Sequence, residues 1–180
     1  INKTRTALLE VLKEMGADIK LSNVSNEYEP CADISIRASE LKGITLNPKL
    51  VPNLIDELPV LFIAASLAEG ETIIRGAEEL REKESDRLEA MSNSLKLLGV
   101  KFKIYDDGIH IQGLNQEVNI SNSGMPFEAS RINSFGDHRI AMTSAIACTR
   151  ANDKSYIEDT KNVTTSFPNF LEICEEVGLD

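Results

Sequence analysis

The chain has 180 residues, 42% of them apolar, with 29 Asp and Glu against 19 Lys and Arg, a formal charge of −10. That length accommodates one well-buried core or one large domain of something bigger, and that charge argues against a general affinity for nucleic acid or anionic membranes. No apolar run approaches the roughly 20 residues that span a bilayer, and the N-terminus lacks a signal-peptide layout, so a cytoplasmic protein is expected.

Leu8, Leu9, Val11, Leu12 and Met15 form an apolar stripe at helical spacing that stops at Gly16, a natural helix C-terminus. Ile19 and Leu21 then alternate as in a half-buried strand. Residues 58–68, preceded by Asp56-Glu57, are apolar all round and predict a buried helix. Lys83-Glu84-Ser85-Asp86-Arg87 precedes a second amphipathic helix, Leu88, Met91, Leu95 and Leu98, which stops at Gly99. Val100, Phe102 and Ile104 predict a strand, and Asp107-Gly108 predicts the turn of a hairpin, with His110 on its surface face between Ile109 and Ile111. Asp137-His138-Arg139 opens a second buried helix, residues 139–151, with His138 read as a core histidine rather than a helper near the site. Thr164-Thr165-Ser166 precedes the last amphipathic helix, Phe170, Leu171, Ile173, Cys174 and Val177, which stops at Gly178.

These features recur at a period of about 80 residues: Asp56 and Asp137, Ser85 and Ser166, and Gly16, Gly99 and Gly178. A period that long and that mixed predicts repeated α/β units sharing one core, in one domain. Cys31, Cys148 and Cys174 are odd in number and widely spaced, with no C-x-x-C pair, which argues against a disulfide framework or a zinc site. Reduced, mostly buried thiols are expected. The first residue is Ile1 and a helix begins almost at once, so the chain reads as a piece of a longer one.

The standout polar residues all lie just before helices. Helix N-termini present unpaired N–H groups and the positive end of the dipole, so several converging ones make a site for phosphate or carboxylate. Each residue also has a plainer reading. Asp56, Ser85, Asp137 and Ser166 are all helix-capping types, Glu84 and Asp86 suit a first turn, and Lys83 and Arg87 suit surface ion pairs. Capping does not account for Arg139, a cation at the mouth of a buried helix, where the dipole disfavours it. Such a cation calls for an anion.

Lys83-Glu84-Ser85-Asp86-Arg87-Leu88, Gly136-Asp137-His138-Arg139-Ile140-Ala141-Met142 and Ser166-Phe167-Pro168, in this order, resemble the EPSP synthase family, as do Asn2-Lys3-Thr4-Arg5-Thr6 and Leu54-Ile55-Asp56-Glu57-Leu58-Pro59. The resemblance covers essentially the whole chain. It implies an α+β, enolpyruvyl transferase-like lobe, built inside out from βαβαββ units with buried helices. Residues 1–180 would be most of the C-terminal lobe, with the N-terminal lobe absent and supplying further phosphate-binding cations.

The reaction implied transfers the enolpyruvyl group of phosphoenolpyruvate to the 5-hydroxyl of shikimate 3-phosphate, with no metal or organic cofactor and a monomeric full-length enzyme. By position, the resemblance makes Asp56 the base at the 5-hydroxyl, also contacting shikimate 3-phosphate, and Glu84 the acid and base at the methylene carbon. It makes Lys83 a shikimate 3-phosphate contact, and Arg87 and Arg139 the holders of phosphoenolpyruvate. Some family members carry an asparagine where Glu79 stands and a lysine where Thr165 stands, so neither receives a role. A UDP-N-acetylglucosamine enolpyruvyl transferase-like lobe and a non-catalytic binding module are the alternatives. The isolated lobe is expected to be inactive.

Overall fold

The computed structural model describes residues 1–113 and 125–179. Helix α1 (Ala7–Glu14) leads into the antiparallel pair β1 (Asp18–Ser25) and β2 (Cys31–Arg37). Helix α2 (Leu58–Ser66), strand β3 (Glu71–Ile74), helix α3 (Arg87–Leu97) and strands β4 (Lys101–Tyr105) and β5 (Gly108–Gln112) follow. Strand β6 (Arg131–Asn133), helix α4 (His138–Cys148), strand β7 (Tyr156–Glu158) and helices α5 (Lys161–Ser166) and α6 (Phe170–Glu176) complete the order.

Of the two helices read as buried, α2 is enclosed and α4 is buried on one side, with Met142, Ala145 and Ile146 half-buried, and both are crossovers. In α2, Leu58, Pro59, Leu61, Phe62, Ile63 and Ala65 are all enclosed, and Ser66 satisfies its hydroxyl by donating to the Ile63 carbonyl at 2.7 Å. Pro59 sits in the first turn, where its missing N–H breaks no intrahelical bond. Each fully enclosed Leu or Phe contributes about 1.5–3 kcal/mol of burial, so a helix apolar on every side is stable only where packing surrounds it. Here α3, α4 and β5 surround α2. Helix α2 connects Thr45 to Ile73, which bridge in parallel, and α4 connects β6 to β7, which pair in parallel. The stretch from Thr45 through α2, β3, α3, β4 and β5 thus reproduces the expected order of one βαβαββ unit.

In the three-stranded sheet β5 is central, flanked antiparallel by β3 and β4, and it turns Ile109 and Ile111 into the core. The hairpin forms, but its two loop residues are Asp106 and Asp107, with Gly108 already paired to Tyr105. Glycine is needed there for space, since a Cβ on Gly108 would lie 2.0 Å from the Ile74 carbonyl oxygen of β3. The three helix-ending glycines do take positive φ: +102° at Gly16, +81° at Gly99 and +75° at Gly178.

Helix α3 is amphipathic as expected, with Glu89, Asn93 and Lys96 exposed along one side, and its enclosed face is wider than the apolar stripe because Ser92 and Ser94 donate to the Leu88 and Ala90 carbonyls at 2.7 and 3.0 Å and need no water. Three expectations are corrected. Helix α6 has the predicted stripe yet no fully buried residue, with Leu171 and Val177 69% and 65% exposed. A cleft of about 530 Å³ separates Phe170, Leu171 and Cys174 from Ala145, Ile146 and Ile157, so part of the stripe lines a groove. The thiols are free but not mostly buried: Cys31 is exposed, and Cys148 and Cys174 are half-buried. His138 is half-buried at the first position of α4, outside the core. His110 is on β5 as expected, its Nε2 3.2 Å from Glu71 on β3.

Among the described residues, no helix is long and apolar enough to cross a membrane, and no group of three His, Cys, Asp or Glu side chains is placed to hold a metal ion.

Candidate active site

Helices α3 and α4 start side by side, and one acidic residue ties their beginnings together. Asp137, fully buried, caps α4: its Oδ1 accepts from the Arg139 N–H at 2.9 Å and the Ile140 N–H at 3.4 Å. Its Oδ2 accepts from Arg87 Nε at 2.8 Å and from the Ser85 hydroxyl at 3.1 Å. The two motifs, 50 residues apart, are thereby one structure.

Arg87 is the hub. It is the first residue of α3, where the dipole disfavours a cation, and only 1% exposed. Three carboxylates offset both penalties. Nε donates to Asp137, Nη1 to Asp56 Oδ1 at 3.2 Å, and Nη2 to Glu84 Oε2 at 2.5 Å. Asp56 and Glu84, the two candidate acid–base carboxylates, therefore meet across one guanidinium. Both face water on their other sides, at 22% and 52% exposed. Such a buried charge is tolerated only while its hydrogen bonds are complete.

Arg139 also finds its anion within the chain. Its Nη1 donates to the Asp56 carbonyl at 3.0 Å and lies 3.6 Å from Glu57 Oε1, while Nη2 is 3.3 Å from Asp56 Oδ2. Burial raises the Asp56 carboxyl, but the charges of Arg139 and Arg87 and the hydrogen bonds of Arg5 outweigh it, holding the group below its usual value. At Asp137 burial again raises, and the Arg87 guanidinium, the Arg139 N–H and the Ser85 hydroxyl together lower it further.

The plainer capping readings divide. Asp137 is a cap, whereas Ser85 is not: Asp86 caps α3, its Oδ1 accepting from the Glu89 N–H at 3.0 Å. Asp56 lies one residue before Glu57, which precedes α2 without a side-chain cap. Ser166 ends the short helix α5, and Asn169 stands before α6, so the Thr164-Thr165-Ser166 segment forms a helix of its own. Lys83, next to Glu84 in the chain, pairs with Glu79 four residues earlier and not with the cluster around Arg87.

Two contributors escaped sequence reasoning. Arg5, just ahead of α1, reaches Asp56 Oδ2 and Glu57 Oε1 at 3.3 Å. Arg81 donates to Asp86 at 2.7 Å and to the Tyr105 and Asp106 carbonyls, pinning the loop that carries Glu84 to the β4–β5 turn. Arg5 lies in a stretch that carried the resemblance but received no role there, and Arg81 bears no local pattern, since both pair with partners far away or across a turn.

The arrangement gathers two partly exposed carboxylates around a buried guanidinium, with Arg139 joined to Asp56 from α4. The fold is that of the enolpyruvyl transferases, as a likeness to the enolpyruvyl transferase NikO from Streptomyces tendae shows, with a TM-score of 0.68 at 16% identity, covering 98% of this chain and 36% of that one. A structure of EPSP synthase from Acinetobacter baumannii superimposes with a TM-score of 0.92 at 45% identity, over 99% of this chain and 40% of that one. A model of the EPSP synthase family (3-phosphoshikimate 1-carboxyvinyltransferase) matches residues 1–174, and the chain belongs to that family. Proteins named 3-phosphoshikimate 1-carboxyvinyltransferase from Methylococcus capsulatus and Coxiella burnetii are 48% and 44% identical, each over 181 residues and 100% of this chain. The chain spans 39% of the length of each.

Proposed function

We propose that the full-length protein transfers the enolpyruvyl group of phosphoenolpyruvate to the 5-hydroxyl of shikimate 3-phosphate and releases phosphate, as a monomer in the cytoplasm. This chain is most of its C-terminal lobe, and the N-terminal lobe supplies the remaining cations. Family membership supports the reading. The observation that carries it is that Arg87 gathers Asp56 and Glu84, drawn from two separate family motifs, around one point open to solvent.

The chemistry follows from that placement. Asp56, kept ionised by its arginines, takes the 5-hydroxyl proton as that oxygen attacks the substituted carbon of phosphoenolpyruvate. Glu84 gives a proton to the methylene carbon, completing a tetrahedral intermediate, and takes one back from the resulting methyl group as phosphate leaves. An anion held by Arg87 Nη2 takes the place of the Glu84 carboxylate there and leaves Glu84 beside the reacting carbon. Arg139 and Arg87 hold the carboxylate and phosphate of the donor as guanidinium forks suit, and Lys83 contacts shikimate 3-phosphate. The scheme uses no metal or organic cofactor.

Phosphate release from both substrates, by the full-length protein and by this chain, tests the reading. Release is expected from the full-length protein only, and only with both substrates. Release with UDP-N-acetylglucosamine as acceptor instead would move the assignment to that transferase, and no release with either acceptor would favour a binding module.

A further inference from the structure

Asp56 and Glu57 are served by two arginines at once. Arg5 places Nη1 and Nη2 3.3 Å from Asp56 Oδ2, and Nη2 also 3.3 Å from Glu57 Oε1. Arg139, from α4, uses the same two acceptor atoms, at 3.3 and 3.6 Å. Arg87 reaches only the other oxygen of Asp56 and is committed to Asp137 and Glu84 besides. The doubling matters because Arg139 has a second role in the proposed reaction. A guanidinium that turns to a substrate anion weakens its contact with Asp56 Oδ2 and Glu57 Oε1, and two partly buried carboxylates would then face each other short of a cation.

We propose that Arg5 is a positioning residue, the stand-in cation that holds Asp56 and Glu57 when Arg139 engages an anionic substrate. This rests on the reading of the site given above. Arg5 suits that role because it comes from the segment before α1, half-exposed and separate from the helices that carry the motifs, so it need not move with Arg139. It leaves Asp56 with two guanidiniums in the loaded site, Arg87 on Oδ1 and Arg5 on Oδ2, and so ionised and aimed for proton removal. The charged groups facing Asp56 are then Arg5 ahead of α1, Arg87 on α3, Arg139 on α4 and its neighbour Glu57.

The experiment follows the Asp56 carboxyl carbon by NMR in the full-length protein saturated with phosphoenolpyruvate, for the parent, Arg5→Ala and Arg5→Lys, alongside steady-state kinetics. Arg5→Ala is expected to move the Asp56 titration to higher pH and to lower kcat about five-fold, the scale of one exposed ion pair, with KM for phosphoenolpyruvate changed less. Arg5→Lys, which keeps the charge, is expected to restore most of both. An Asp56 titration unmoved in Arg5→Ala overturns the proposal, as does a loss of kcat that the lysine variant does not recover. If Arg139→Ala leaves phosphoenolpyruvate binding unaltered, the reading of the site fails first, and the stand-in role falls with it.

Discussion

Asp137 Oδ2 lies 2.8 Å from Arg87 Nε, and both side chains are almost wholly shut off from water. The pair does three jobs: it neutralises the hub cation, caps α4 and, through Ser85, fixes the loop that carries Glu84. Removing Asp137 leaves the buried Arg87 Nε without its acceptor, with only the partly exposed Asp56 and Glu84 to balance the charge, and leaves the start of α4 uncapped. Asp137→Ala is therefore expected to destabilise the folded chain by about 3–5 kcal/mol, read from urea unfolding. The double replacement Arg87→Met with Asp137→Leu should recover much of that loss. A single-variant loss below about 1 kcal/mol would show the pair to be far better hydrated than its burial indicates.

The same pair sets an acid limit. The Asp137 carboxyl is held below its ordinary value of 3.8 in the folded protein, with burial opposing and Arg87, the Arg139 N–H and Ser85 prevailing. As pH falls, the unfolded chain takes up the proton first, so the stabilisation is complete above about pH 4 and is lost as pH drops through the folded value. Unfolding midpoints measured from pH 6 downward should decline in that acid window, and less steeply in Asp137→Asn. Equal slopes would assign the acid sensitivity to other carboxylates.

Glu84 is half-exposed and contributes one of the three bonds to Arg87. In the full-length protein, Glu84→Gln keeps the shape and a hydrogen-bonding group but removes the proton donor. It should cut turnover about 100-fold or more while KM for both substrates changes little. Undiminished phosphate release from this variant would take Glu84 out of the mechanism.

Arg139 stands at the rim, joined to Asp56 and Glu57 but not enclosed. Arg139→Ala in the full-length protein should weaken phosphoenolpyruvate by about ten-fold or more, as expected for loss of a charge-assisted guanidinium contact, and shikimate 3-phosphate by less. Isothermal titration with each ligand separates the two effects, and equal weakening would contradict the assigned role.

Much of the architecture could be read from pattern. An apolar run without a charged residue, such as residues 58–68, is compatible with few environments, so its burial follows from its composition. Glycines that end a helical stripe, such as Gly99, mark a left-handed residue that other side chains rarely adopt. Where pattern was incomplete or misled, packing decided. Ser92 and Ser94 join the enclosed face of α3, since each answers its own polarity with a carbonyl one turn back, while Glu89 and Asn93 face water. The stripe of α6 looks like a core face, yet it only lines a cleft.

The site divides along the same line. Asp56, Lys83, Glu84, Arg87 and Arg139 were visible in the sequence because they lie in short motifs that open helices and resemble those of a known family. Their partners were not. That Asp137 binds Arg87 across 50 residues, that Arg139 meets Asp56 across 83, and that Arg5 joins them from before the first helix depends on how the buried helices pack. The order of residues alone was enough to mark the buried helix α2, the glycines that end helices, and the polar residue types that stand at helix starts, since these depend on local sterics and apolar periodicity. The enclosure of Arg87 by three carboxylates and the sharing of Asp56 between Arg5 and Arg139 arose only with the packed fold, because ion pairing depends on distances between side chains that the order of the chain does not constrain.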